Sequence, residues 1–207
     1  MRIEIRQNQV LLDGYVNAVE RQSRVLPSVH GRFRETVKTK TFEKALSKAD
    51  DVELRFNHDP SRKLTSIKEG GLQLYEDNIG LRAIATVTDE EVIQAAKEKR
   101  LTGWSFGFRD NKPTFTDGSD GIQQRYLEDI DLLEVSILDK TPAYIATSLE
   151  MRGNDTYITE QRSEEFKAEI EDFTTTEAEK REESQINYSI YENEIEILKL
   201  KNVKGGN

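Results

Sequence analysis

The sequence predicts an α+β domain, with a small barrel flanked by helices as one arrangement of its strands. Three observations predict it. Val52, Leu54 and Phe56 alternate with charged residues, the mark of a half-buried strand. Gly70-Gly71 turns the chain into Leu72-Gln73-Leu74-Tyr75, and Glu76-Asp77-Asn78 turns it again into Gly80–Ala85, which is a hairpin pattern. Thr88-Asp89-Glu90-Glu91 opens a helix to about Arg100, with acids at its positive end and Lys97, Lys99 and Arg100 at its negative end. Many strands with so few helices define the α+β class.

The other elements follow in order. Ile3 and Ile5, then Val10 and Leu12, mark two short strands, the second continuing through Gly14-Tyr15-Val16. Thr41–Leu46 reads as a short helix with Thr41 as its cap and Lys44 where a capping box has glutamate. Further strands are expected at 103–109, 123–130 and 132–139.

The chain has 207 residues, enough to bury a core, with 35% apolar and 33% charged side chains. It contains no cysteine, which excludes disulfides and thiolate metal sites and fits a cytosolic compartment. No apolar run reaches the roughly 20 residues a membrane span needs, and the N-terminus carries no signal-peptide core. The formal charge of -9 argues against nucleic-acid binding. That charge is uneven: residues 153–207 carry 14 acidic and 7 basic side chains, leaving the first 152 near neutral. Residues 1–152 are therefore expected to form the folded domain, and 153–207 a charged, mobile C-terminal tail. Ile195, Ile197, Leu198 and Leu200 form the one apolar cluster near its end, a strand or helix suited to docking on a partner.

Three segments carry candidate chemistry. Of the two histidines, His30 lies in a polar stretch beside glycine and reads as a loop residue. His58 follows Val52, Leu54 and Phe56 at the same parity and so is expected on the face they bury, either as a base or as a hydrogen-bonded core histidine. Gly103-Trp104-Ser105-Phe106-Gly107 matches G-x-S-x-G literally. It is not the α/β-hydrolase elbow, because no histidine follows Ser105 and no helix comes after it. Trp104, Phe106 and Phe108 alternate with Ser105 and Gly107, so this is a strand. Ser105 faces away from the aromatic row, beside glycines that leave room for a substrate backbone. It is a nucleophile or a serine on a solvated face. In Asp129–Leu138, Leu133, Val135 and Ile137 form an apolar row, and Glu134 faces the other way. A carboxylate in so apolar a run needs a partner, for which an imidazole is suited, unless the strand is an edge and Glu134 is solvated. Asp129 and Asp131 are competing acids. Two isolated histidines give no metal-ligand spacing, and no metal or other cofactor is expected.

Together and in this order, these segments resemble the prohead maturation protease family of tailed bacteriophages, which shares a clan with the herpesvirus assemblins. The resemblance rests on Gly14-Tyr15-Val16, Phe42–Leu46, Leu54-Arg55-Phe56-Asn57-His58-Asp59, Trp104-Ser105-Phe106-Gly107-Phe108, Leu133-Glu134-Val135-Ser136-Ile137 and Thr141-Pro142-Ala143-Tyr144. Thr102 stands where serine is more usual before the glycine. The resemblance covers about residues 1–152 and not the tail. It implies a mostly antiparallel barrel ringed by helices and a serine endopeptidase with His58 as base, Ser105 as nucleophile and Glu134 as third member. Implied substrates are major capsid protein, scaffold protein and the chain itself, within the prohead assembling in the host cytoplasm. The acidic tail is then expected to target the shell, to be trimmed, or both. Self-association is left open. Two alternatives stand beside this: a non-enzymatic capsid assembly factor, and a small β-barrel binding module, which leaves His58 and Glu134 without a shared purpose.

Overall fold

The computed structural model describes residues 1–28, 31–139, 147–152, 155–165 and 168–174. Among them are fifteen strands and two helices. In chain order these are β1 (Arg2–Arg6), β2 (Gln9–Ala18), β3 (Leu26–Ser28), β4 (Gly31–Val37), α1 (Thr41–Lys48), β5 (Glu53–Phe56), β6 (Lys63–Ser66), β7 (Leu72–Glu76) and β8 (Gly80–Val87). There follow α2 (Glu90–Lys97), β9 (Gly103–Asp110), β10 (Thr114–Thr116), β11 (Gln123–Leu127), β12 (Ile130–Leu138), β13 (Thr147–Arg152), β14 (Asp155–Glu165) and β15 (Glu169–Asp172).

The strands form three sheets in the orders β15-β1-β2-β8-β7, β10-β11-β4-β3 and β13-β14-β9-β12-β5-β6. The sheet-dominated α+β class agrees with the sequence. The ladders close no barrel among the described residues. Pairing is mostly antiparallel, with parallel pairs at β1–β15, β4–β11 and β5–β12.

Alternation explains the core. Ile3, Ile5, Val10, Leu12 and Val16 from β1 and β2 are buried with Ala83, Ala85 and Val87 of β8 and with Trp104, Phe106 and Phe108 of β9. Phe42 of α1 meets the Phe106 ring edge-on at 5.3 Å, which fixes this helix against the aromatic row.

The helix ends differ in how they are capped. Asp89 caps α2 by accepting a hydrogen bond from the Val92 N–H at 3.0 Å. At α1 the expected cap, Thr41, is instead the first helical residue, and its buried hydroxyl donates to the Leu127 carbonyl. The cap position is Lys40, in the left-handed region with φ 70°. The orphan N–H groups of Lys40 and Glu43 are taken by the Glu76 carboxylate from the end of β7.

The compact unit runs from Met1 to Asp172. The ladders thus continue past residue 152, where the sequence places the end of the folded part: β14 pairs with β9, and β15 pairs with β1. β15 is anchored by the Glu169 N–H on the Met1 carbonyl and by the Arg2–Glu171 ion pair, while Ile170 packs against the core. The last apolar cluster, Ile195 to Leu200, lies outside the described residues.

Candidate active site

The three central strands of the largest sheet bring the candidate residues together. β12 runs antiparallel to β9, with Glu134 opposite Gly107 and Ser136 opposite Ser105. β5 runs parallel to β12 on its other side, with Leu54 beside Val135 and Phe56 beside Ile137. Paired residues share a face. One face therefore carries the buried row of Trp104, Phe106, Val135, Ile137, Leu54 and Phe56, and the other carries Ser105, Gly107, Glu134 and Ser136.

His58 reaches this second face. Parity predicts the first, because it assumes that the strand continues. The strand ends at Phe56, and Asn57 and His58 both take left-handed backbone, φ 55° and φ 60°. Two such residues in succession reverse the side-chain direction that alternation would give, at a cost of about 1–3 kcal/mol each. Asparagine tolerates this region better than most. The turn is held at several points. The Asn57 amide donates to the Asp139 carboxylate at 2.8 Å and its oxygen accepts from the Asp139 N–H at 3.1 Å. The Asn57 N–H donates to the Ile137 carbonyl at 3.0 Å. The Asp59 N–H donates to the Phe56 carbonyl and the Arg62 N–H to the Asp59 carbonyl. Hydrogen bonds from Ser61 hold the Asp59 carboxyl below its ordinary range. Arg62 then ties the turn to the start of α2 through Asp89, at 3.0 Å, and Glu91.

The result is a continuous hydrogen-bonded chain. His58 Nε2 lies 2.6 Å from Ser105 Oγ, and His58 Nδ1 lies 2.6 Å from Glu134 Oε1. Ser105 is 1% exposed and Glu134 3%. In the tautomer with the proton on Nδ1, that nitrogen donates to the carboxylate and Nε2 accepts from the serine hydroxyl. The arrangement is competent to move a proton from Ser105 to the imidazole.

Gly107 also has a reason within the chain itself. A Cβ there meets Glu134 Oε1 at 2.5 Å, so the missing side chain makes room for the carboxylate. The competing acids are elsewhere. Asp129 pairs with Lys48 at 2.6 Å, and hydrogen bonds from Lys48 and Asn111 hold its carboxyl below the ordinary range. Asp131 accepts from Asn111 at 2.8 Å. His30 and the segment Thr141-Pro142-Ala143-Tyr144 lie outside the described residues. Sequence reasoning missed Asn57 and Ser136. Ser136 had a signal, since it lies two positions from Glu134 on one strand and so shares its face.

No helix among the described residues is long and apolar enough to cross a membrane. No curated protein and no solved structure matches the chain. The family model for the caudovirus prohead serine protease matches residues 1–162, most of the chain, ending within β14. The ordered motifs and the Ser105–His58–Glu134 geometry lead to the same place as that match: this chain belongs to the caudovirus prohead serine protease family.

Proposed function

We propose that this chain is a serine endopeptidase acting through Ser105, His58 and Glu134. Its substrates are the scaffold and major capsid proteins of a maturing prohead, and the chain itself, within the host cytoplasm. The observation that carries the reading is the unbroken chain of two 2.6 Å contacts from hydroxyl to imidazole to carboxylate. Ser105 Oγ attacks the peptide carbonyl carbon while its proton passes to His58 Nε2. The tetrahedral intermediate collapses as that proton is given to the leaving amine. Water, deprotonated by the same nitrogen, then releases the acyl group. Glu134 keeps the proton on Nδ1 and offsets the imidazolium charge.

A fluorophosphonate probe tests the nucleophile. It is expected to label Ser105 stoichiometrically, located by mass spectrometry of the digested protein. A folded chain that takes no label at Ser105 favours the assembly-factor reading instead. Gly107 supplies a second test. Gly107→Ala pushes the Glu134 carboxylate off its position, and displacement by about 1 Å in such a site costs on the order of 10²-fold in rate. Labelling of that variant at the wild-type rate would show that Glu134 is dispensable.

A further inference from the structure

Ser136 makes two hydrogen bonds that no proton-transfer step uses. It is 0% exposed, on β12 directly opposite Ser105. Its Oγ donates to Glu134 Oε2 at 2.6 Å and accepts from the His58 backbone N–H at 3.1 Å. A hydroxyl has one proton to give and lone pairs to receive, so both roles are filled at once. The two bonds act on different parts of the machinery. The first holds the carboxylate by the oxygen that His58 does not use, so Glu134 is gripped at both ends and cannot rotate without breaking one bond. The second pins the backbone of His58, one of the two residues held in left-handed conformation, to the strand that carries its partner.

We propose that Ser136 is a positioning residue that fixes the Glu134 carboxylate and the His58 turn relative to one another. The inference rests on the assignment of Ser105, His58 and Glu134 as the reacting groups. Ser136→Ala leaves Glu134 with one tether and the His58 N–H without its acceptor. The imidazole then samples orientations that no longer meet Ser105. Groups that orient reacting side chains from behind typically contribute 10–100-fold in activity.

The test uses the full chain and the fluorophosphonate labelling rate, which needs no identified substrate. Ser136→Ala and the near-isosteric Ser136→Cys are expected to label 10–100-fold more slowly while still melting cooperatively. Ser136→Thr, which keeps the hydroxyl, recovers most of the rate. The downfield proton NMR signal of the His58–Glu134 hydrogen bond is expected to shift or vanish in the alanine variant and return in the threonine variant. If Ser136→Ala does not melt cooperatively, Ser136→Cys decides. A folded alanine or cysteine variant that labels within twofold of wild type overturns the proposal. If wild type itself takes no label, the peptidase reading fails. The downfield signal then decides alone on Ser136, and an unchanged signal in Ser136→Ala overturns the positioning role.

Discussion

His58→Ala is expected to lower cleavage of co-expressed major capsid protein by about 10⁴- to 10⁶-fold, the loss seen when a serine hydrolase is deprived of its general base. The hydroxyl of Ser105 is a weak nucleophile until its proton has somewhere to go. In the proposed mechanism that acceptor is His58 Nε2, at 2.6 Å, and the other acid–base candidates lie elsewhere: Asp129 is committed to Lys48 and Asp131 to Asn111. The substitution also leaves Glu134 Oε1 buried without its imidazole. A loss of stability is therefore expected alongside the loss of rate, and a melting curve separates the two. A folded His58→Ala protein that cleaves within tenfold of wild type would remove the proton-transfer chain as the basis of activity.

The largest effect on stability is expected at Arg125. Its side chain, 6% exposed, lies on β11, and bonds Glu35 of β4 at 3.2 Å and Asp110 at the end of β9 at 2.7 Å. Both carboxylate side chains are 4% exposed. Phe33 and Phe115 also lie against the guanidinium, at 5.8 and 5.7 Å from ring centroid. One cation thus joins the four-stranded sheet to the sheet that bears Ser105. Arg125→Ala removes the charge that both buried acids face, and breaking a buried pair in this way costs about 3–5 kcal/mol. For a unit of this size that lowers the melting temperature by about 10 °C. Neutralising the orphaned acids with Glu35→Gln and Asp110→Asn in the same chain should recover part of the loss. A drop below about 1 kcal/mol in urea unfolding would show that the pair is no better than a surface bridge.

Much of the site could be read from single residues. Glu134 and Ser105 stood out because each interrupts an apolar alternation, and a two-residue period is enough to place them on the face away from the aromatic row. His58 was readable as a residue but not as a direction. Parity counting holds only while the backbone stays extended, and the left-handed pair at Asn57 and His58 carries the imidazole to the opposite face. The cap of α1 was invisible for another reason: it comes from Glu76, more than thirty residues along the chain, where a local pattern has no access. The strands beyond residue 152 lacked the expected signature because β15 is a short acidic segment whose pairing is set by a parallel neighbour, not by its own alternation. Gly107 shows a further limit. The sequence marks a place where bulk is forbidden, and only the fold says that the occupant is a carboxylate.

The placement of β9 bears on how a polypeptide gains entry. β9 is an interior strand: β12 flanks it on one side and β14 on the other, with Ser163 standing opposite Ser105. A peptide strand therefore has no free edge of β9 to pair with beside Ser105, because both rims are already occupied by this molecule's own backbone. If the chain cleaves a polypeptide as proposed, recognition of that polypeptide falls to side chains and not to added backbone pairing on β9.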